Sequence, residues 1–354
     1  MSVGELRTIK NLTELQAAGF VNAGAGARLA DVVENFNVRL TPHVQNLIET
    51  SDVSDPIFAQ YVPSELEMRT THGEMSDPIG DDVHGKVKGI THRYPDRLLL
   101  KATHTCQVYC RFCFRREKVG QAEEALNADE MTAAILYIRA TPEIWEVILS
   151  GGDPLVLSDR RLAGMMAALS DIPHVQVIRI HTRAPVADPA RVSDGLISAL
   201  NVRPAVYMVV HVNHPKEISE DVKLGFSKLV NAGIPLLSQS VLLRGVNNSV
   251  ETLSALMKML VGLRVKPYYL HHLDKARGTD HFRCSIAEGQ KLMRALRGRL
   301  SGLCLPTYML DIPGGFGKVP IGPQYLNTQN ESLCGILDIH GNVHEYSDSA
   351  KTEA

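Results

Sequence analysis

The chain has 354 residues, 44 % of them hydrophobic and 21 % charged, which suits one large globular unit with appendages or two domains. A net charge of −2 gives no sign of nucleic acid or an anionic membrane as partner, and no apolar run approaches the roughly 18 residues of a membrane span. Six cysteines, three of them clustered, make no disulfide framework in a chain this long, and the first residues lack a signal peptide's apolar core, so a reducing cytoplasm is the expected setting.

Residues 1–88 read as a helical N-terminal region, with apolar residues at helical spacing such as Leu29, Val32, Val33 and Phe36. Asp55-Pro56 and Pro63-Ser64 interrupt that pattern, and the turn-rich Asp77-Pro-Ile-Gly-Asp-Asp82 reads as part of a linker over 76–90. Beyond it, short apolar runs alternate with helical segments. Strands are expected at 98–103, 146–150, 175–181, 205–211, 235–243 and 266–271, with helices at 127–140, 158–170, 189–200, 216–232, 249–262 and 285–300. Asn127, three residues before Glu130, is a capping-box start for the first helix. Near-continuous apolar strands alternating with amphipathic helices predict a parallel sheet covered by helices, and six units are too few for a closed eight-stranded barrel. The expected fold is a partial (βα)6 barrel over 89–305, followed by a short C-terminal segment, 306–354, ending in a loose tail from Ser347.

The most specific stretch follows the first strand: Cys106-Gln-Val-Tyr-Cys110-Arg-Phe-Cys113, a C-x3-C-x2-C spacing on a loop. A four-iron cluster normally takes four thiolates, so three leave one iron open to chemistry. Structural zinc would want a fourth ligand, and Cys284, Cys304 and Cys334 have no metal-like neighbours. Buried cysteines acting as small hydrophobes fit poorly with Arg111, Arg115 and Arg116 among them. The second strand ends in Ser150-Gly151-Gly152-Asp153, whose glycines allow close backbone approach to a ligand and whose Asp can accept from an ammonium; the same residues also make good turn chemistry. Histidines at strand ends, His181, His211, His214, His271 and His272, read as hydrogen-bonded lumen residues in preference to a metal site. Near the C-terminus, Asp311-Ile-Pro-Gly-Gly-Phe-Gly-Lys318 has the glycine density of an anion-binding nest. Its Lys could contact phosphate, form a Schiff base with pyridoxal 5′-phosphate (PLP), or be a solvated lysine in a flexible turn.

The C-x3-C-x2-C stretch after a first strand resembles the radical S-adenosylmethionine (SAM) superfamily. Together with Ile178-Arg-Ile-His-Thr-Arg183, His211-Val-Asn-His-Pro215, Gln239-Ser-Val-Leu-Leu-Arg-Gly-Val-Asn247, His281-Phe-Arg283 and the Asp311–Lys318 loop, it resembles the lysine 2,3-aminomutase family from Tyr94 to Pro320. The resemblance implies a [4Fe–4S] cluster on Cys106, Cys110 and Cys113, with SAM on the fourth iron and its amino group at the Ser150–Asp153 motif. It implies PLP bonded to Lys318, with Arg93, Arg97 and Gln239 at the phosphate. Arg115 would pair with the substrate carboxylate, and Asp274 and Asp311 would hold the side-chain ammonium of L-lysine. Two unpaired carboxylates in one lumen would repel, and one would tend to hold a proton.

The implied reaction moves the α-amino group of L-lysine to C3, giving β-lysine, by way of a 5′-deoxyadenosyl radical. A reducing partner such as flavodoxin or ferredoxin and a homo-oligomer are also implied. The family's zinc site has a Cys where this chain has Ser249, and its C-terminal Cys cluster has no counterpart here, so zinc is not expected. The stretch Tyr269-Leu-His-His-Leu-Asp-Lys275 is closer to the related enzyme that β-lysylates elongation factor P, which makes that pathway an alternative destination for the product. A radical SAM enzyme without PLP, and a protein using the cysteines for electron transfer alone, are the other readings.

Overall fold

The computed structural model describes residues 6–328 and 333–347. Its centre is a nine-stranded sheet in sequential order: β1 (Ile90–Tyr94), β2 (Arg97–Thr103), β3 (Glu146–Gly151), β4 (Val177–Thr182), β5 (Ala205–His211), β6 (Leu236–Val241), β7 (Val265–His271), β8 (Thr307–Ile312) and β9 (Gly317–Pro320). Strands β2 to β8 run parallel, while β1 and β9 pair antiparallel at the two edges. Six crossover helices, Ala128–Arg139, Asp159–Ser170, Asp194–Leu200, Glu220–Asn231, Val250–Gly262 and Ile286–Arg297, join the parallel strands. All six expected strands and helices are present. The sequence reading lacked β1 and β9, and it lacked β8, the strand that completes the last unit.

Local chemistry explains the helix starts. Asn127 and Glu130 form the expected capping box, each side chain accepting from the other's backbone N–H at 2.9 Å. Ser158, Ser193, Ser219, Ser249 and Ser285 cap the other five helices, each hydroxyl accepting from a first-turn N–H. Asp55-Pro56 and Pro63-Ser64 also prove to be starts. Asp55 caps Pro56–Tyr61 with proline at the first helical position, and Ser64 caps the short 3-10 turn Glu65–Met68.

The strands alternate more strongly than the sequence suggested. Leu98, Leu100, Leu149, Ile178, Ile180, Val210 and Leu270 face outward into the core beneath the helices, each burial contributing roughly 1.5–3 kcal/mol. By the two-residue period, Lys101, Ser150, Arg179, His181, His211, Gln239, His271 and Asp311 face the concave side. The polar lumen is therefore written into every strand. Its two edges approach each other: Lys318 N donates to Tyr94 Oη at 3.0 Å, and Arg93 Nη1 donates to Asp311 Oδ1 at 2.9 Å.

The N-terminal helices pack around their own apolar cluster, which includes Leu15, Val32, Leu40, Ile57 and Tyr61 and reaches Val108 of the cysteine loop. Residues 77–84 do not form a free linker. They lie against the open end of the barrel, with Asp81 on Arg115 and His84 on Gly315. The C-terminal segment carries a three-stranded antiparallel meander, β10 (Leu326–Thr328), β11 (Leu333–Leu337) and β12 (Val343–Ser347), which the sequence reading did not anticipate. Ser347 ends β12, and the rest of the expected tail lies outside the described residues. Among the described residues, no helix is long and apolar enough to cross a membrane.

Candidate active site

Cys106, Cys110 and Cys113 sit on the loop that leaves β2, partly exposed and unpaired by disulfides. Two buried ion networks fix this loop. In one, Glu67 accepts from Arg111 Nη2 at 2.6 Å and also from Arg116 Nη2, so arginines flanking Cys113 grip one carboxylate of the N-terminal region. In the other, Arg183 Nη1 donates at 2.7 Å both to Glu217 Oε2 and to Tyr61 Oη, with its charge in range of Cys110. Burial pushes all three thiols up, Cys110 to about 12; Cys106 also feels the charge that Cys110 and Cys113 would carry, and Cys110 that of Cys113. All three cysteines line one cavity. A bound cation would reverse the shift and hold them as thiolates. The donor set fits an iron cluster.

The glycine pair at the end of β3 is also required by the fold. A Cβ on Gly151 would lie 2.4 Å from Thr103 O, and one on Gly152 would lie 2.3 Å from Thr105 O. The glycines thus let the β3 turn lie directly on the root of the cysteine loop, where Gly152 N donates to Thr103 O at 2.6 Å. Asp153 is engaged by the chain itself. Its carboxylate accepts from Leu155 N, Arg183 N and Ala184 N, and Thr182 Oγ1 lies 2.7 and 2.9 Å from its two oxygens. Through these bonds Asp153 anchors the loop after β4.

At the other edge, Asp311 and Lys318 are direct cross-strand partners in the β8–β9 hairpin, which is closed by residues 313–316. Asp311, almost wholly buried, holds Arg93 on Oδ1 and the Lys318 ammonium on Oδ2. The expectation of two unpaired carboxylates therefore holds for Asp274 alone. Asp274, three residues past β7, has no side-chain partner among the described residues; burial pushes it up to about 7 against the pull of Lys318, with Asp311 adding to the rise. Neither Lys275 nor Arg277 pairs with it, Arg277 being engaged with Glu117 at 3.3 Å.

Arg115 donates from Nε to Asp81 Oδ2 at 2.7 Å and from Nη1 to Ser150 Oγ at 3.1 Å. Arg97 stacks over the Tyr94 ring at 4.0 Å and bonds Asp96 at 2.5 Å. Gln239 is the register partner of both His211 on β5 and Tyr269 on β7. Arg97 and Arg179 both act electrostatically on the Tyr269 phenol. Arg93, besides holding Asp311, keeps a buried Nε without a partner among the described residues.

The lumen histidines are neutral. Burial lowers His181 and His271 well below the usual imidazole range and His211 to about 3, with nearby cations adding to the effect. The rings of His181 and His211 meet edge-on at 5.8 Å, and both Nε2 atoms are buried without partners among the described residues, facing a lumen that a polar ligand would satisfy. His214 caps the turn at Pro215, and His272 bonds Tyr308 on the outer side. Among the described residues, no group of three or more His, Cys, Asp and Glu side chains is placed to hold a metal ion. Sequence reasoning missed Asp81, Lys101, Arg179, Glu67 and Glu217. Only their charge in strand or turn positions marked them, and their partners lie far along the chain.

Comparison with known proteins agrees with this arrangement. Residues 100–257 match the radical SAM superfamily, and residues 293–352 match a family model described as lysine-2,3-aminomutase, so the match extends past Pro320 across the C-terminal meander. The L-lysine 2,3-aminomutase of Clostridium subterminale is 40 % identical over 320 residues, 90 % of this chain and 77 % of that one. The L-lysine 2,3-aminomutase of Acetoanaerobium sticklandii is 41 % identical over 316 residues, covering 89 % and 76 %. A glutamate 2,3-aminomutase of Clostridioides difficile is 37 % identical over 320 residues, covering 90 % and 76 %. This chain belongs to the lysine 2,3-aminomutase family of radical SAM isomerases.

Proposed function

We propose that the protein isomerises L-lysine to β-lysine, using SAM and a [4Fe–4S] cluster, as the superfamily implies, together with PLP. The observation that carries the substrate choice is at Asp311. Its Oδ2 already holds an alkylammonium, that of Lys318, while Asp274 lies within its electrostatic reach without a cation of its own. Engaging Lys318 with PLP frees Asp311 Oδ2 for the ammonium of a substrate. Burial raises Asp274 to about 7 in the empty site, and an arriving ammonium shifts it toward the carboxylate, because a nearby cation favours the charged form. A glutamate side chain would bring a further negative charge to two aspartates.

Cys106, Cys110 and Cys113 would hold the cluster, and Ser150, Gly151 and Gly152 form the neighbouring wall where SAM would lie. Lys318 would bond PLP, with Arg97, Gln239 and the free Nε of Arg93 toward its phosphate. Bound there, the cluster and SAM would supply a carbon-centred radical, and PLP a carbonyl carbon able to carry an amino group. Arg115, with Nη2 unpartnered among the described residues, takes the substrate carboxylate, so the substrate is held at both ends. The two-ended grip fixes chain length and keeps C2 and C3 in one place during transfer.

Anaerobic reconstitution with iron, sulfide and PLP, followed by L-lysine, SAM and reductant, tests the proposal. β-Lysine should form and should vanish when either SAM or PLP is omitted. Lysine turnover undiminished by omitting PLP from apo-protein would overturn the PLP assignment.

A further inference from the structure

Residues 77–84, a stretch whose composition is that of a loop, touch both halves of the grip on the substrate. Asp77 caps the stretch, its two oxygens accepting from Asp81 N at 2.9 Å and Asp82 N at 2.8 Å. The preceding residue, Gly80, has φ +68°, and a Cβ there would lie 2.5 Å from Gly315 Cα in the β8–β9 hairpin. His84 Nε2 bonds Gly315 O at 2.9 Å, and Ile79 O accepts from Arg93, the same arginine that holds Asp311. From this strap the Asp81 side chain reaches the other way, to Arg115 Nε at 2.7 Å and Lys101 Nζ at 3.7 Å.

We propose that Asp81 is the positioning residue for Arg115, holding its guanidinium by the Nε edge so that the Nη edge is presented to the carboxylate of an amino-acid substrate, in one frame with the Lys318 hairpin. The inference rests on the proposed amino-acid substrate and adds the group that orients its carboxylate end. Charge balance supports it. Asp81 is one anion between two largely buried cations, Arg115 and Lys101, so the trio carries a surplus positive charge that a single carboxylate neutralises. Burial disfavours the Asp81 carboxylate, yet Arg115 and Lys101 hold it well below the usual range, so it stays ionised across the working pH. Its Oδ1 is buried without a partner, so Oδ2 alone fixes both cations. Asp81 does not touch the substrate. It acts through Arg115, whose remaining bonds, to Ser150 Oγ and Gly151 O, are neutral and longer at 3.1 and 3.4 Å.

The test uses reconstituted holoenzyme with Asp81→Asn and Asp81→Glu. Loss of the charge leaves Arg115 attractive to a carboxylate but unlocked, so in Asp81→Asn kcat for lysine should fall roughly 10- to 100-fold while KM moves less than about threefold. Asp81→Glu, which keeps the charge, should recover part of kcat. A second readout needs no turnover: modification of Arg115 by phenylglyoxal in substrate-free holoenzyme, followed by peptide mass spectrometry, should be several-fold faster in Asp81→Asn than in the parent. A raised KM with unchanged kcat, or equal labelling rates, would overturn the proposal. If Asp81→Asn fails to fold, Asp81→Ser takes its place in the labelling comparison, faster labelling than the parent supporting the proposal and equality refuting it. Failure of the parent to turn over lysine would sink the substrate assignment alone, because the labelling comparison still judges Asp81.

Discussion

Asp311 and Lys318 face each other across the β8–β9 hairpin, and the carboxylate of one holds the ammonium of the other. A spacing of seven residues becomes a direct contact because residues 313–316 turn the chain back on itself. On the far side of the same carboxylate, Arg93 joins the first strand of the sheet to the eighth. The hairpin therefore ties the two edges of the sheet together and presents its lysine in a single construction.

Lys318→Ala should abolish the PLP absorbance of the reconstituted protein while leaving reductive SAM cleavage intact, because the cysteine loop and the hairpin lie at different edges of the sheet. Absorbance spectra and 5′-deoxyadenosine release measure the two separately. A mutant that keeps its PLP band and its turnover would make Lys318 only a partner for Asp311.

Asp311→Asn removes the acceptor of a buried pair, a loss worth ~3–5 kcal/mol. At ~1.36 kcal/mol per tenfold, kcat/KM for lysine should fall roughly a hundred- to several-thousand-fold, with cluster content unchanged. Steady-state kinetics with iron and PLP quantitation checks this.

The pH dependence of substrate binding should report Asp274. Its carboxyl is raised to about 7 in the empty site, so an arriving ammonium must displace a proton below that pH. KM for lysine should fall as pH rises toward 7 and level off above it, and Asp274→Asn should flatten the profile. For stability the sign is opposite. The raised pKa means that the folded state binds more protons than the unfolded chain between about 4 and 7, so Asp274 costs stability as pH rises through that window. Thermal melts of substrate-free parent and Asp274→Asn should converge at low pH and separate toward pH 7, with the Asn variant the more stable.

Ser249 offers a test of a position where the family's zinc site has cysteine. Here its hydroxyl caps the helix Val250–Gly262, accepting from Thr252 N at 3.1 Å and lying 2.9 Å from Thr252 Oγ1. Ser249→Ala should lower stability by about 1 kcal/mol, as loss of a cap does, with no change in metal content. Denaturant titration and metal analysis check the pair; stoichiometric zinc lost from the mutant would assign Ser249 to a metal site.

What could be read from sequence was what is local. The cysteine spacing, the asparagine cap at Asn127 and the alternation of strand and helix are each set within a few residues. The Lys318 loop was conspicuous because three glycines, Gly314, Gly315 and Gly317, fall within the four positions before one lysine. Asp81 was not, because it lies in a turn-rich run and its partner is Arg115, on the far side of the first two strands. The anchoring bonds of Asp153 were not legible either, because most of its donors, Thr182 to Ala184, arrive from the end of the next strand. The concave faces of the strands were hidden for a related reason. His181 and Arg179 interrupt an apolar run only every second residue, and their common lumen appears only when the sheet curls.

The most direct test of the central claim is anaerobic incubation of the reconstituted enzyme with SAM, PLP and reductant on an equal mixture of L-glutamate and L-lysine labelled with nitrogen-15 at the α-amino group. If the two aspartates select an ammonium and the amino group moves within one molecule, β-lysine will carry the label undiluted at C3 and no β-glutamate will accumulate. Preferential formation of β-glutamate, or SAM cleavage without isomerisation of either amino acid, would contradict it.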